Sequence, residues 1–304
     1  LGHADCSAGL FSFSYAIDCI NGILARNREK TRGGREKVWI ASGVEQGIVS
    51  RQPSIVRRAM KIVFSRKGFD TSSGGCPSPI LPDGRMLALP IPDSQSPIRY
   101  RDVCWSGGDL GCVVDSLTRG RVKADDRAHL DPDLSAESLP RNPNWRPLFG
   151  QTGAAQGHLR NQNVSIGDLF VFYGLFRETV EINGRLEWDK TASPIHATWG
   201  WLQIAEIHTK PFECLGWSDY HPHRHGDRGP NNALYVAAPR LTLPSAENLD
   251  LPGSGVFTRF SDENLDLPGS GVFTRFSETS RLTAPEATSQ TLWRLPKWCY
   301  PQAD

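Results

Sequence analysis

The sequence predicts an α+β fold in which a mainly antiparallel, barrel-like sheet is joined by few and short helices. The main evidence is a pair of long stretches, residues 167–182 and 196–209, that are rich in aromatic and β-branched residues, as strands are. In addition, helix signals are confined to two short segments, one after Asp109 and one after Thr152. The 304 residues are enough for one large domain or two small ones.

The first predicted element is a short buried strand, MKIVFS, at residues 60–65. Residues 65–94 follow as a loop rich in proline and glycine, with a Pro-Asp-Gly turn at 82–84 and a short strand at 85–91. Because proline fixes φ, we expect this loop to be preorganised.

Two helices and a hairpin complete the prediction. Asp109 is the expected cap of a helix that stops at Gly120 and buries one apolar face, formed by Leu110, Val113, Val114 and Leu117. Thr152 is the expected cap of a second helix. An Asn-Gly pair between the two long strands predicts a hairpin, and residues 232–243 predict a strand pair broken at Pro239.

Composition excludes several classes of function. A net charge of +1 provides no global field for nucleic acid or an anionic membrane. No stretch approaches the roughly 20 apolar residues of a membrane-spanning helix. The seven cysteines contain no CxxC pair, which argues against a zinc ribbon and favours reduced thiols in a cytoplasm. The sequence assigns no metal ligands and leaves the cofactor and the oligomeric state unknown.

The N-terminal segment differs in character from the rest of the chain. Residues 1–59 contain nine Lys/Arg and five Asp/Glu, and the first methionine is Met60. We interpret 1–59 as translated upstream sequence, with 60–304 as a single domain. A disordered basic arm for nucleic acid is the alternative.

A duplication lies in the C-terminal part. The 15 residues ENLDLPGSGVFTRFS at 247–261 recur unchanged at 263–277. Two identical copies do not make a repeat architecture, so a recent duplication tolerated in a surface loop is the expected cause. Only one copy can occupy the original environment, and the other is expected to be extruded.

Four groups of polar residues are candidate sites. Ser65, Arg66, Lys67 and Asp70 follow the first strand, where a guanidinium, an ammonium and nearby glycines could hold phosphate. A solvated loop with an Arg66–Asp70 pair is the alternative.

The second group is His129, Asp131 and Asp133, which alternate in HLDPDL and could meet on a divalent metal or act as acid and base. An Asp-Pro turn with solvated carboxylates is the alternative.

The third group, near the second helix, comprises Gln151, Gln156, His158 and Asn161. Its amides could read a base edge and His158 could act as a base, against an alternative of helix capping and a surface histidine.

The fourth group, YHPHRH, contains Tyr220, His221, His223 and His225. Its alternating imidazoles could bind a metal, but no cysteine other than Cys214 is near. The alternative is a polar loop in which Tyr220 packs against the domain. Cys76, in a Gly-Gly-Cys-Pro turn, is a weak nucleophile candidate because no partner base is evident.

Several long motifs together resemble one family. MKIVFSRKGFD, GGCPSPILPDGRMLALPIPD, HLDPDL, FGQTGAAQGHLRNQ, GDLFVFYGLFR, WGWLQI and YHPH are similar to the Nmad3 family of nucleotide-modification-associated proteins of bacteria and phages. The resemblance implies a link to modified nucleotides in DNA and names no reaction. VSIGDLFVFYG and WGWLQIAEI more faintly resemble PUA-like domains, including the EVE and ASCH groups, whose small barrels can hold a modified base.

The resemblance and the residues together give three hypotheses. The first is a nucleotide- or DNA-base-modifying enzyme, the second a non-catalytic PUA-like reader of modified bases, and the third a structural partner in a phage or defence operon. For the enzyme we assign catalysis to Asp70, His129, Asp131, His158 and His221. We assign nucleotide binding to Ser65, Arg66, Lys67, Gln151, Gln156, Asn161, Tyr220 and His223. The expected partner is a nucleotide or nucleic acid, with no membrane.

Overall fold

The computed structural model describes residues 36–40, 60–212, 214–242 and 268–294. Within these ranges there are two α-helices, α1 (Leu110–Thr118) and α2 (Gly153–Asn161). The strands are β1 (Glu36–Ile40), β2 (Lys61–Arg66), β3 (Ser78–Ile80), β4 (Ile91–Pro92), β5 (Cys104–Trp105), β6 (Gly108–Asp109), β7 (Ala128–His129), β8 (Leu148–Thr152), β9 (Leu169–Ile182), β10 (Arg185–Trp188), β11 (Ile195–Thr209), β12 (Asn232–Ala237) and β13 (Ser270–Val272).

One large sheet organises the molecule, with the strand order β1-β2-β9-β11-β12-β8. The pairs β9–β11, β11–β12 and β12–β8 are antiparallel, whereas β2 and β3 run parallel to β9. The predicted α+β class with a mainly antiparallel sheet is therefore confirmed. Among the described strands the sheet is open, with β1 and β8 at the ends of this path, so the barrel-like and PUA-like forms stay predictions.

The strongest local signals in the sequence produce the expected elements. Strands β9 and β11 are 14 and 15 residues long. Asn183 and Gly184, with φ of 52° and 74°, form the tight turn that joins β9 to β10. The carboxylate of Asp109 accepts hydrogen bonds from the backbone N–H groups of Gly111 and Cys112, so α1 is capped as predicted.

Three local predictions are wrong in part. Residues 85–91 do not form a continuous strand, because the N–H of Met86 donates to Thr274 while that of Leu87 donates to Pro79. Thr152 is the N-cap of α2, but its hydroxyl donates to the carbonyl of Arg228 instead of capping the helix. Only the first half of 232–243 forms a ladder strand, β12.

The core lies mainly on the large sheet. Phe149, Phe170 and Phe172 are fully buried and contact one another with ring centroids 4.8–6.1 Å apart. A second apolar cluster surrounds α1 and includes Phe69 and Tyr100. Four further aromatic residues are also buried in the sheet, namely Tyr173, Phe176, Trp199 and Trp201.

The second copy of the duplicated segment is described from residue 268. Its residues Ser270–Val272 form β13 against β11, and Phe273 is buried with its ring centroid 5.0 Å from that of Trp201. Residues 247–261, the first copy, lie outside the described residues, so the extrusion of this copy stays a prediction.

Of residues 1–59, only the backbone of β1 is described, paired antiparallel with β2. No helix in the described ranges is long and apolar enough to cross a membrane.

Candidate functional site

The polar centre of the molecule is a group that we call the Asp131 cluster: Lys67, His129, Asp131, His221 and His223. Lys67 follows the last residue of β2, and His129 ends β7. His221 and His223 lie at a short 3-10 turn, Pro222–Arg224. Segments distant in the sequence therefore supply one carboxylate, three imidazoles and one ammonium group.

Asp131 lies at the middle of this cluster. Its Oδ1 accepts a 2.6 Å hydrogen bond from the backbone N–H of Gly150 and lies 3.4 Å from Nε2 of His221. Its Oδ2 lies 3.7 Å from Nε2 of His223, 3.8 Å from Nε2 of His129 and 3.8 Å from Nζ of Lys67. These three distances exceed a hydrogen bond, and Oδ2 is buried with no hydrogen-bond partner among the described residues.

Two residues outside the cluster fix the orientation of two of its three imidazoles. Nδ1 of His129 is 2.7 Å from a carboxylate oxygen of Asp93, which can only accept a hydrogen bond when ionised. Nδ1 of His223 is 2.8 Å from Oδ1 of Asn232, whose Nδ2 donates to the carbonyl of His223. Both rings thus carry a proton on Nδ1, so in the neutral form each directs the lone pair of Nε2 toward Asp131.

His221 has the opposite tautomer. Its Nδ1 accepts a hydrogen bond of 3.3 Å from the backbone N–H of His223. In the neutral ring the proton then lies on Nε2, which faces Oδ1 of Asp131. His221 is therefore positioned to donate to the carboxylate rather than to offer it a lone pair.

The charges of the cluster follow from this geometry. Burial alone would raise the pKa of Asp131, but the His221 imidazole and the Lys67 ammonium hold it well below its usual range. Burial lowers the pKa of His223 to about 3, so this ring is neutral near pH 7. The cluster thus combines an ionised carboxylate with at least one neutral imidazole.

The cluster is buried but connected to solvent. The side chains of Lys67 and His129 are 16% and 13% exposed, whereas those of Asp131 and His221 are 1% and 0% exposed. The ammonium of Lys67 also lies over the ring of Phe149, 4.4 Å from its centroid. Lys67 and His129 are therefore the most exposed members of the cluster.

Asp133, the second carboxylate of HLDPDL, has a different environment. Both of its oxygens accept hydrogen bonds of 2.7 Å from Arg141, and the hydroxyl of Tyr220 donates to Oδ2 at 2.6 Å. Tyr220 in turn accepts from the indole N–H of Trp145. Every polar atom here is paired, which is the pattern of a structural ion pair. Tyr220 thus lies beside the Asp131 cluster, but its hydroxyl is a hydrogen-bond partner of Asp133.

The loop after β2 places only Lys67 in the cluster. Arg66 and Asp70 form an ion pair of 3.2 Å, as in the alternative interpretation. Asp70 also accepts hydrogen bonds of 2.7 Å from the backbone N–H and the hydroxyl of Ser72. Ser65 is fully buried within β2. The catalytic role of Asp70 and the binding roles of Ser65 and Arg66 stay predictions.

The candidates around α2 do not join the cluster. Gln156 is buried and accepts a hydrogen bond from the hydroxyl of Tyr235, and Gln151 is buried on β8. His158 is half-buried on α2, and Asn161 is exposed at the end of that helix. Their assigned roles in catalysis and base reading stay predictions.

A separate cavity of about 640 Å³ lies next to the later part of the same loop. It is lined by Gly75, Cys76 and Trp188 and by three arginines, Arg119, Arg121 and Arg177. Arg121 and Arg177 donate to backbone carbonyls. We call it the arginine cavity. No member of the Asp131 cluster lines it, so the reactive groups and this cavity are distinct features.

Sequence reasoning missed Asp93, Asn232 and the N–H of Gly150. Asp93 ends the proline-rich run LPIPD, and Asn232 begins the strand NALYVA. Neither position has a local pattern that indicates contact with an imidazole. The only available signal was a polar residue at the edge of an apolar strand, which is common.

The described residues form a mainly antiparallel α+β domain with a buried carboxylate–imidazole centre. The chain matches the family described as nucleotide modification associated domain 3, Nmad3, over residues 61–304. It therefore belongs to the Nmad3 family. The chain matches no curated protein and no solved structure.

Proposed function

We propose that the protein is an enzyme of nucleotide or DNA-base modification whose reaction takes place at the Asp131 cluster. Membership of the Nmad3 family supports a role associated with nucleotide modification. A bacterial or phage origin, a cytoplasmic location and a modified nucleotide as ligand belong to the same proposal.

The observation that carries the proposal is the contrast between Asp131 and Asp133. Both carboxylates are buried, but Arg141 and Tyr220 fully pair Asp133. Oδ2 of Asp131 faces a group of imidazoles and an ammonium without a hydrogen bond. A buried charge with shifted pKa values among several titratable groups is typical of a reaction centre.

The orientation of each group suggests its role. His129 has Nδ1–H on Asp93 and a free lone pair on Nε2, which is the arrangement of a general base held by a carboxylate. Lys67 has a partly exposed side chain, and its ammonium can stabilise negative charge on a substrate. The buried carboxylate of Asp131 lies next to these groups and helps to hold them in position.

The arginine cavity, although it is separate from the Asp131 cluster, supports a role for the protein in nucleotide binding. Its guanidinium groups can bind phosphate oxygens in pairs, and the indole of Trp188 at its wall can contact a base. Among the described residues no carboxylate forms an ion pair with Arg119, Arg121 or Arg177, although Arg121 and Arg177 also donate to backbone carbonyls.

The test is incubation of the purified protein with a panel of nucleotides and oligonucleotides that carry modified bases, followed by mass spectrometry of the products. We expect a product of altered mass with the unmodified protein and with Asp83→Asn, an exposed control, and its loss with Asp131→Asn. Binding without any change of mass would instead favour the reader hypothesis. Absence of both binding and conversion would favour a structural partner.

A further inference from the structure

We propose that His129, Asp131 and His223 bind one divalent transition-metal ion through two imidazole nitrogens and one carboxylate oxygen. The inference rests on the proposed function only for what the metal would be used for. It replaces the base role of His129 proposed above, because an Nε2 atom bound to the ion has no lone pair left to accept a proton. Metal binding is measured without any nucleotide, so either proposal can fail while the other holds.

The distances fit one shared ion. Zinc bonds to histidine nitrogen are about 2.0–2.1 Å and to carboxylate oxygen about 2.0–2.2 Å, so two ligand atoms on one ion lie at most about 4.3 Å apart. Oδ2 of Asp131 lies 3.7 Å and 3.8 Å from the Nε2 atoms of His223 and His129. All three atoms lie within 4.8 Å of one another. Ligand atoms in a tetrahedral zinc site lie about 3.4 Å apart. The two oxygen–nitrogen pairs therefore need to close by a few tenths of an ångström, and the widest pair by up to about 1.4 Å.

The hydrogen bonds around the imidazoles prepare them as ligands. A metal-binding histidine usually donates its other ring N–H to a carboxylate or a carbonyl oxygen, which fixes the tautomer and the ring orientation. His129 does this with Asp93, and His223 does it with Asn232. The two ligands therefore have independent supports from different segments of the chain.

The carboxylate also lacks the partners that a structural role would require. Oδ2 of Asp131 is buried without a hydrogen bond among the described residues, which is costly for an ionised oxygen. Its neighbour Oδ1 accepts from Gly150 and faces the donor nitrogen of His221. Oδ1 thus has a hydrogen-bond donor in Gly150, whereas Oδ2 is directed at the two Nε2 lone pairs.

The type of ligand selects the class of metal. Imidazole nitrogen suits zinc, iron, copper and nickel, whereas magnesium and calcium prefer sites made only of oxygen atoms. Three protein ligands leave a coordination position for water or a substrate oxygen, as in catalytic rather than structural zinc sites. The partly exposed side of His129 is where such a position would open to solvent.

Lys67 provides a competing charge, since its ammonium lies 3.8 Å from the same Oδ2. A cation bound by Asp131 would be repelled by this group. We therefore expect Lys67→Met, which keeps an apolar stem against Phe149, to bind metal at least as tightly as the unmodified protein. Loss of binding in this variant would contradict the assigned ligand set.

The test is titration of the chelator-treated full chain with Zn²⁺ alone, by calorimetry and by metal analysis after dialysis, with Mg²⁺ as the comparison ion. We expect saturable binding of one Zn²⁺ per chain and none of Mg²⁺. His129→Gln, His223→Gln and Asp131→Asn should abolish it, and the matched controls His208→Gln and Asp83→Asn should retain it. Circular dichroism would check that each variant is folded.

Asp93→Asn tests the site without removing a ligand, so it remains informative if a ligand variant fails to fold. Loss of a carboxylate that supports a metal-bound histidine should weaken Zn²⁺ affinity by about 10–100-fold. The proposal is overturned if the unmodified chain binds no Zn²⁺, or if binding is unchanged in the three ligand variants.

Discussion

The backbone N–H of Gly150 donates a 2.6 Å hydrogen bond to Oδ1 of Asp131, 19 residues away in the chain. The same glycine makes room for His223, because a Cβ built on Gly150 would lie 2.3 Å from Cδ2 of that ring. Gly150 is on β8, which pairs with β12. One position of the sheet therefore fixes both the carboxylate and one of the imidazoles.

Gly150→Ala should disturb this arrangement. The added methyl group must displace the buried His223 ring, and overpacking of this kind costs about 1–3 kcal/mol in the free energy of unfolding. Urea unfolding would measure that loss, and Zn²⁺ titration should show weaker binding. Gly216→Ala is the matched control, since a Cβ there meets nothing within 4 Å. Equal stability and equal metal affinity of the two variants would contradict the role of Gly150.

His221 and His223 should differ although they are two residues apart. The lone pair of His223 Nε2 points at Asp131, whereas the Nε2–H of His221 faces this carboxylate as a hydrogen-bond donor. Glutamine can replace a donor but is a poor replacement for an imidazole ligand. We expect His221→Gln to retain most of the Zn²⁺ affinity and His223→Gln to lose it. Equal loss in a Zn²⁺ titration would refute the assigned tautomers.

Arg141→Met should destabilise the fold strongly. Asp133 is fully buried and Arg141 donates to both of its oxygens, so the variant leaves an unpaired charge in the interior. Breaking a buried pair in this way costs about 3–5 kcal/mol. The control is Arg101→Met, which removes an exposed pair with Asp125 worth at most about 1 kcal/mol. Chemical unfolding at pH 7 would compare them, and similar losses would contradict the structural role of Asp133.

The ion pair of Asp70 should make stability dependent on pH. Burial alone would raise the pKa of Asp70, but its hydrogen bonds with Ser72 and the charge of Arg66 lower it below the ordinary value of 3.8. The folded state therefore binds a proton less readily than the unfolded state, so this contribution is present above pH 3.8 and is lost as the pH falls through the folded pKa.

Asp70→Asn should consequently be less stable than the unmodified protein near pH 6, and the difference should shrink below the ordinary pKa. Urea unfolding over this range would measure it. A difference in the free energy of unfolding that does not change with pH would show that the carboxylate charge contributes nothing.

Cys76 should be unreactive although it lines the arginine cavity. Burial raises the pKa of its thiol to about 11, so it contains almost no thiolate at pH 8. Cys104, Cys112 and Cys214 are exposed. We expect iodoacetamide to label these three within the time that leaves Cys76 unmodified, as mapped by peptide mass spectrometry. Early labelling of Cys76 would contradict this prediction and support Cys76 as a candidate nucleophile.

The sequence by itself determined the elements with strong local signals. The aromatic and β-branched content of β9 and β11, the Asn-Gly turn and the Asp109 cap act within a few residues, so the sequence predicts them directly. It also singled out His129, Asp131, His221 and His223 as polar residues in rigid, proline-containing segments. The sequence did not determine the function of these residues.

Only the tertiary structure decided which of these residues meet. The parallel pairing of β2 with β9 brings Lys67 to Asp131, and the β8–β12 register places Gly150 and Asn232 around His223. Asp93 reaches His129 across 36 residues, whereas Asp133, only two positions from Asp131, is paired with Arg141. The physical reason is that the environment of a side chain depends on long-range packing and register, which local sequence patterns do not encode.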